Sequence, residues 1–228
     1  MKHKEKFLDF KPKVFDQLSL TKQKMGNSRS SQALQEENIS QIEADTGFTG
    51  NQIERLWSRF TSLDKQDKGY LTREDFLRIP ELAINPLGDR IVHAFFRDGH
   101  ANANGIGELE TRDRDVVNFC DFVRVLAHFR PIKKNVEKNK LNSRQEKLKF
   151  AFRMYDLDGD EKISKEELLA VLTMMVGANI SEEQLMSIAD RTIHEADEDK
   201  DDRISFDEFC KVLERTDVEQ KMSIRFLS

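Results

Sequence analysis

The first strong pattern along this chain is a run of apolar residues at helical spacing, which places four of them on one face: Ile53, Leu56, Trp57 and Phe60. Thr49, followed three residues later by Gln52, forms a capping-box pattern in which each side chain binds the backbone N–H of the other residue. The pattern therefore predicts an amphipathic helix that begins just after Thr49. We expect Trp57 to pack in a core with the rest of that face.

Three acidic segments of twelve residues resemble one another, and each follows a helical run: DKQDKGYLTRED from Asp64, DLDGDEKISKEE from Asp156 and DEDKDDRISFDE from Asp197. Each has Leu or Ile at its eighth place, and residues 94–122 contain a blurred fourth copy. Four helix–loop–helix units in two pairs are typical of EF-hand proteins. We predict an all-α fold of four EF-hand units in two lobes, with short two-residue β pairings between the loops.

The segments between these units predict the domain boundaries. Polar and basic residues dominate both the beginning of the chain and the stretch between the two pairs of units. The predicted divisions are a disordered N-terminal extension at 1–40, a first lobe at 45–128, a basic linker at 129–145, a second lobe at 146–218 and a C-terminal tail at 219–228. The linker is either a solvated loop or a docking patch for acidic lipid or protein, and the sequence leaves both open.

The third and fourth loops carry complete sets of calcium ligands. An EF-hand loop binds calcium through oxygen atoms at positions 1, 3, 5, 7 and 12, where the seventh is a backbone carbonyl and the last a bidentate Glu. The predicted ligands of the third loop (156–167) are Asp156, Asp158, Asp160, the carbonyl of Lys162, and Glu167. Those of the fourth loop (197–208) are Asp197, Asp199, Asp201, the carbonyl of Arg203, and Glu208. We expect two calcium ions, one in each loop.

The sixth place of both loops departs from the usual pattern, because it holds Glu161 and Asp202 where Gly normally makes a sharp turn. A residue other than Gly costs about 1 kcal/mol in the left-handed backbone region. Four carboxylates around a divalent ion should outweigh that cost, so we expect calcium binding that is weakened but not abolished.

The first loop (64–75) and the second loop lack a credible calcium site. In the first, Lys68 puts a cation at the fifth place, and Asp75 at the twelfth is one methylene shorter than Glu. The second loop has two alternative registers. One puts Arg114 at the fifth place and Asp121 at the twelfth, and the other runs over residues 102–113 with Ile, which has no ligand oxygen, at the fifth place. We expect both N-terminal EF-hands to be degenerate.

Composition and charge exclude several classes of function. A net charge of −5 gives no general electrostatic footprint for nucleic acid. No stretch approaches the roughly 18 apolar residues of a membrane span. The histidines are scattered, with neither metal spacing nor a nucleophile–base arrangement, and Cys120 and Cys210 are expected to be free thiols in a reducing compartment. We therefore predict a protein that is not an enzyme and does not bind nucleic acid.

Residues 25–30, MGNSRS, match the N-myristoylation signal, in which Gly takes the acyl chain once the initiator Met is removed. A glycine inside a chain has no free amine and cannot be acylated in this way. We expect the functional protein to begin at Met25 and to carry myristate on Gly26. The alternative is a chance match in a polar tail.

Four stretches resemble the calcineurin B homologous proteins, type 1 in particular: PELAINPLGDRI at 80–91, LAHFRPI at 126–132, LNSR at 141–144 and DVEQKMSIRFL at 217–227. The resemblance spans residues 41–228. It implies myristoylation, two working C-terminal EF-hands and two silent N-terminal ones. It also implies a partnership with plasma-membrane sodium/proton exchangers through a cytoplasmic amphipathic helix next to the membrane, and a part in calcineurin inhibition. The first 24 residues, an insertion near 100–112 and the strongly basic linker depart from the family pattern.

The function expected from this reading is a calcium-binding adaptor that supports the activity, stability or trafficking of an exchanger. Its expected location is cytoplasmic, and peripheral at the plasma membrane and endomembranes. The apolar run LLAVLTMMV at 168–176 is either internal core or a groove for the partner helix, and it also matches a nuclear-export pattern compatible with nuclear shuttling. The alternative function is a calcineurin B-like regulatory component of a protein phosphatase. Such a component would require four filled calcium sites.

Overall fold

A computed structural model describes residues 36–98, 115–131, 140–176 and 180–223 of the protein. Gly26, the insertion near 100–112 and the central part of the linker lie outside the described residues, so the expectations about them stay predictions. The helices, in chain order, are α1 (Glu36–Thr46), α2 (Gly50–Leu63), α3 (Arg73–Leu77), α4 (Pro80–Ala83), α5 (Gly88–Asp98), α6 (Phe119–Ala127), α7 (Arg144–Tyr155), α8 (Lys165–Val176), α9 (Glu182–Ala196), α10 (Phe206–Val212) and α11 (Val218–Lys221). A 3-10 turn at Lys140–Asn142 precedes α7.

Two short strands, β1 (Lys162–Ser164) and β2 (Arg203–Ser205), pair antiparallel and join the third loop to the fourth. Ile163 lies opposite Ile204 at the centre of this ladder, and neither side chain is exposed. Each strand is three residues long, one more than the pairings expected from the sequence. The predominance of helices, with only short β pairing between the loops of the described residues, confirms the predicted all-α EF-hand fold.

The predicted capping box at the start of α2 is present, because the N–H of Thr49 donates to Gln52 Oε1 at 2.9 Å. Trp57 packs against the core as expected, with its ring centroid 4.8 Å from that of Phe119 on α6. The preceding helix α1 begins at Glu36, inside the segment that the sequence assigned to a disordered extension. Its hydrophobic anchor is Ile42, which is buried and holds the helix against the first lobe.

Buried aromatic rings fill the first lobe and join its helices. Phe60 of α2, Phe76 of α3 and Phe95 of α5 all contact Phe122 of α6, with centroid distances of 5.6, 6.4 and 5.6 Å. Such ring pairs add to the stability gained from burial alone. Among the described residues, no helix is both long and apolar enough to cross a membrane.

A buried lysine fastens the two lobes together. Lys147 on α7 is fully buried, and its Nζ donates to three carbonyl oxygens: those of His128 at 2.5 Å, Arg130 at 3.0 Å and Met222 at 3.1 Å. His128 and Arg130 follow the end of α6 in the first lobe, whereas Met222 follows α11 at the other end of the chain. Burial lowers the pKa of Lys147 to about 7, while the three acceptors favour its charged form.

A second inter-lobe contact reaches the third loop directly. Arg90 on α5 donates from Nη2 to the carbonyl oxygens of Arg153 at 2.9 Å and of Asp156 at 3.1 Å. Arg97, two turns further along α5, lies against Gly159 in the same loop, where a Cβ would come 3.4 Å from Arg97 Nη2. The first lobe therefore touches the loop that is predicted to hold calcium.

Candidate metal centre

The third loop brings three of its predicted ligands together. Oxygen atoms of Asp156, Asp158 and Glu167 lie within 4.8 Å of one another. Asp156 ends α7, and Glu167 lies in the first turn of α8, so the two helices of the unit hold opposite ends of the group. Asp160 is outside this trio, and its Oδ2 is paired with Arg203 of the other loop.

The fourth loop repeats the arrangement with a different trio. Oxygen atoms of Asp197, Asp199 and Asp201 lie within 4.8 Å of one another, whereas Glu208 is outside this group. Burial and the neighbouring carboxylates of Asp201 and Glu208 raise the pKa of Asp199. Repulsion of this kind is relieved when a divalent cation enters.

The two glutamates at the twelfth place are buried and held by backbone N–H groups. Oε1 of Glu208 accepts from Glu198 N at 2.7 Å, and Oε2 accepts from the N–H and hydroxyl of Ser205 at 2.8 and 2.7 Å. Burial raises the pKa of Glu208, but these hydrogen bonds outweigh it and lower the pKa to about 2. In the same way, Ser164 and the start of the third loop lower the pKa of Glu167 against the effect of burial. Both side chains are therefore carboxylates at neutral pH.

The loop backbone confirms the conformation expected at the sixth place. Glu161 has φ 68° and Asp202 has φ 62°, in the left-handed region that favours Gly. The fourth place is left-handed too, at Gly159 with φ 79° and Lys200 with φ 63°. This second left-handed place was not predicted from the sequence, and the third loop adopts it without strain because its glycine stands at the fourth place and not at the sixth.

The donor set fits a hard divalent cation. The ligand atoms of the side chains are carboxylate oxygens at alternate places of each loop and at its twelfth place, and Ca²⁺ takes six to eight oxygen ligands of this kind. The seventh-place residues Lys162 and Arg203, whose carbonyls complete the predicted sets, begin β1 and β2. The structure thus keeps the ten predicted ligand residues in two adjoining loops and groups six of their eight carboxylates closely.

The first loop has the same backbone, but it contains its own cation. Asp67 and Gly69 have φ 52° and 81° at the fourth and sixth places, which matches the two C-terminal loops. Lys68 Nζ donates to Asp75 Oδ2 at 2.7 Å, and Asp75 is only 2% exposed. An ammonium group thus neutralises the twelfth-place carboxylate, as a metal ion would in a working loop.

The second loop adopts one of the two registers that the sequence left open. Val117 forms an isolated antiparallel bridge with Leu71, with N–H···O distances of 2.8 and 2.9 Å. Leu71 is the eighth residue of the first loop, so Val117 takes the eighth place of the second loop. Asp121 is then at the twelfth place, where Arg124 Nη1 lies 3.6 Å from its Oδ1. Arg114 at the fifth place lies outside the described residues.

Comparisons with known proteins agree with this geometry. Residues 145–214 match the model of the EF-hand domain pair. The chain is 43% identical over 201 residues to a calcineurin B protein of Naegleria gruberi, an alignment that covers 88% of this chain and 99% of that protein. The chain belongs to the calcineurin B family. It is also 37% identical over 203 residues to the type 1 calcineurin B of Dictyostelium discoideum, with 89% of this chain and 99% of that protein covered.

Membership of the calcineurin B family and the EF-hand domain pair indicate a calcium-binding protein. The comparisons support the wider calcineurin B family, to which the sequence resemblance also pointed. The finer assignment to the calcineurin B homologous proteins, type 1, stays a prediction, as do the number of ions and the lipid on Gly26.

Several side-chain contacts around the two C-terminal loops of this member of the calcineurin B family were missed from the sequence. The side chains of Lys162 and Arg203 cross to carboxylates of the opposite loop, and Arg90 reaches the carbonyl of Asp156 from the first lobe. Basic residues at the seventh place were visible in the sequence. The strand pairing that brings the two loops side by side was predicted too, so the crossing could have been inferred from both together.

Substitution of Lys68 tests whether its ammonium group stabilises the first loop in place of a metal ion. Among the described residues, replacing Lys68 with Met leaves the buried carboxylate of Asp75 with the half-exposed Arg78 as its basic partner in an ion pair. We expect the free energy of unfolding to fall by about 1–2 kcal/mol, by equal amounts in calcium and in chelator. Urea unfolding measures it, with Lys65→Met in the exposed part of the same loop as control. Recovery of stability by calcium would mean that the variant loop binds metal.

The low pKa of Glu208 predicts how the stability of the metal-free protein changes as the pH falls. Its folded-state pKa of about 2 lies below the unfolded value of about 4.3, so its contribution to stability is present above pH 4.3 and is lost as the pH falls through 2. The contribution amounts to at most about 3 kcal/mol. In chelator, the difference in unfolding free energy between the wild type and Glu208→Gln should shrink from pH 5 to pH 2. Glu214→Gln, outside the loops, should give curves parallel to the wild type, and parallel curves for Glu208→Gln would contradict the prediction.

Proposed function

We propose that the protein is a non-enzymatic calcium-binding adaptor that holds an amphipathic helix of a partner protein. The partner proposed is a sodium/proton exchanger, gripped at a cytoplasmic helix next to the membrane, and the adaptor supports the exchanger's activity, stability or trafficking. The four sequence stretches that resemble the calcineurin B homologous proteins support this choice of partner. Binding of an amphipathic helix in an apolar groove is a recurrent mode of EF-hand recognition.

The observation that carries the proposal is that α8 has apolar residues on two faces, one buried in the core and one at least partly exposed. Leu168, Val171 and Leu172 are buried in the core, which accounts for one face of the helix. On the remaining surface, Met174 is 41% exposed and Met175 is only partly buried. Methionine side chains adapt to varied apolar partners, so this surface suits an amphipathic helix from outside the chain.

The second candidate partner is the catalytic chain of calcineurin, and the names of the two relatives favour it. The protein would then act as a regulatory component of a phosphatase, or would inhibit calcineurin by occupying the place of calcineurin B on the catalytic chain. The internal ammonium of Lys68 speaks against a regulatory component that needs four calcium ions, since it neutralises the first loop without metal.

The test is calorimetric binding of two synthetic helices, the juxtamembrane helix of a sodium/proton exchanger and the helix of the calcineurin catalytic chain that binds calcineurin B. We expect the exchanger helix to bind at least tenfold more tightly, and Met174→Asp to weaken its binding at least tenfold. Met186→Asp on α9, at a side chain of similar exposure (37%), is the matched control. Preference for the calcineurin helix would select the second candidate, and binding of neither helix would refute both.

The proposed location is cytoplasmic and peripheral at the plasma membrane and endomembranes, with nuclear shuttling as a further expectation. One myristoyl chain gives only marginal, reversible membrane binding, so a second contact is needed, and the exchanger helix supplies it. In cells, a chain that starts at Met25 should associate with membranes more than the full chain does. Gly26→Ala in that shorter chain should remove the gain and leave calcium binding intact.

A further inference from the structure

The two calcium loops exchange basic side chains across their strand pairing. Lys162, at the seventh place of the third loop, donates from Nζ to Asp201 Oδ2 in the fourth loop. Arg203, at the seventh place of the fourth loop, donates from Nη1 to Asp160 Oδ2 in the third. Asp201 and Asp160 both stand at the fifth place of their loops, so the two contacts are equivalent.

Each fifth-place carboxylate is held from both loops at once. Asp160 Oδ1 accepts the N–H of Lys162 at 2.9 Å, and Asp201 Oδ1 accepts the N–H of Arg203 at 3.0 Å. The other oxygen of each carboxylate takes the basic side chain that comes from the opposite loop. The antiparallel register, in which Lys162 faces Ser205 and Ser164 faces Arg203, places the two seventh-place residues where each can reach across.

The surroundings of these cations are strongly acidic. Asp199 stands two places before Asp201 in the fourth loop, and Asp158 stands two places before Asp160 in the third. A positive charge is therefore already paired with a predicted ligand in each loop before any metal ion arrives.

We propose that each loop's affinity for calcium is set from the opposite loop: Lys162 weakens calcium binding at Asp201 in the fourth loop, and Arg203 weakens it at Asp160 in the third. The inference rests on the calcium sites proposed above. A fixed positive charge beside a ligand carboxylate repels an incoming divalent cation, and it also relieves the repulsion among carboxylates in the metal-free loop. Both effects favour the metal-free state.

The expected effect of each crossing cation on calcium affinity is modest, because all four paired side chains are 31–44% exposed. These are Lys162, Asp201, Arg203 and Asp160. Exposed ion pairs contribute little free energy, and dissolved salt weakens them further by screening their charges. We expect removal of one crossing cation to tighten calcium binding in the opposite loop by about three- to fivefold at low salt. The gain should shrink toward zero in roughly 1 M salt.

The experiment isolates one loop at a time in the full chain. Glu167→Gln disables the third loop, so calorimetry reports the fourth, and Lys162→Met is added to that background. Glu208→Gln with Arg203→Met reports the third loop in the same way. Lys165→Met is the matched control, because Lys165 lies close by in sequence, has the same 40% exposure as Lys162 and pairs with Asp190, which is not a ligand. Lys162→Arg keeps the charge and should restore the parent affinity.

A second readout uses no calcium. In chelator, Lys162→Met and Arg203→Met should each lower the melting temperature more than Lys165→Met does, since the carboxylates then repel one another without a counter-ion. Unchanged or weaker calcium binding in both crossing variants, or an equal gain in Lys165→Met, would overturn the inference while the calcium sites stand. If the parent Glu167→Gln and Glu208→Gln proteins bind no calcium, the proposed sites fail and the inference fails with them.

Discussion

Replacing both Glu167 and Glu208 with Gln is expected to abolish calcium binding to the chain. Each glutamate stands at the twelfth place of its loop, where it supplies two of the oxygen ligands, and a Gln supplies only one neutral oxygen. Each single variant should lose its own site with a fall in affinity of more than about 100-fold and keep the other, so that the stoichiometry drops from two ions to one. Calorimetry on the full chain measures the stoichiometry directly.

The control for this experiment is Asp64→Asn. Asp64 stands at the first place of the first loop, which already contains the ammonium of Lys68, and the N–H of Gly69 donates to its Oδ2 at 2.7 Å. The substitution should leave the two-ion stoichiometry unchanged. A tight calcium site that survives in the double glutamine variant would show that one of the N-terminal loops binds metal after all.

Lys147→Met is expected to lower the free energy of unfolding by about 3 kcal/mol. The methionine keeps the apolar stem of the side chain and removes the ammonium group, which leaves the carbonyl oxygens of His128, Arg130 and Met222 without this donor. A buried acceptor left without its donor costs about 1–3 kcal/mol, and the burial that lowers the pKa of Lys147 offsets part of the three losses. Urea unfolding followed by circular dichroism measures the change.

Lys149→Met is the matched control for the buried lysine. Lys149 lies two residues further along the same helix, its side chain is 40% exposed, and its ion pair with Glu146 is a surface contact of a kind that contributes less than about 1 kcal/mol. Equal losses in the two variants would mean that the lobes are held together by apolar packing and not by Lys147. A larger loss of unfolding free energy in Lys147→Met than in Lys149→Met would indicate that Lys147 holds the two lobes together.

The sequence predicted local features well, because they depend on residues close together in the chain. The repeat of acids at alternate places located the third and fourth loops, and the capping pair Thr49 and Gln52 located the start of α2. The left-handed backbone at Glu161 followed from its place in the loop. In each case the physical cause, a turn or a cap, lies within twelve residues.

Contacts between distant parts of the chain could not be predicted in the same way. The register of the second loop depends on the pairing of Val117 with Leu71, which are far apart in sequence. Lys147 lies among charged residues that a periodicity argument places in solvent, yet it is fully buried at the joint of the lobes. The helix α1 was missed because the polar composition around Glu36 outweighed the apolar signal of Ile39 and Ile42, which pack against the core.

Gly159 limits how far the two C-terminal loops can serve as interchangeable modules. A Cβ at this residue would lie 3.4 Å from Arg97 Nη2, whereas the fourth loop carries Lys200 at the equivalent place. A chimera with the fourth-loop sequence grafted into the third unit would set a lysine next to the Arg97 guanidinium, where the two cations repel each other. The opposite graft brings only a glycine to an exposed place. The exchange should therefore be tolerated better when the third-loop sequence is moved into the fourth unit than when the fourth-loop sequence is moved into the third.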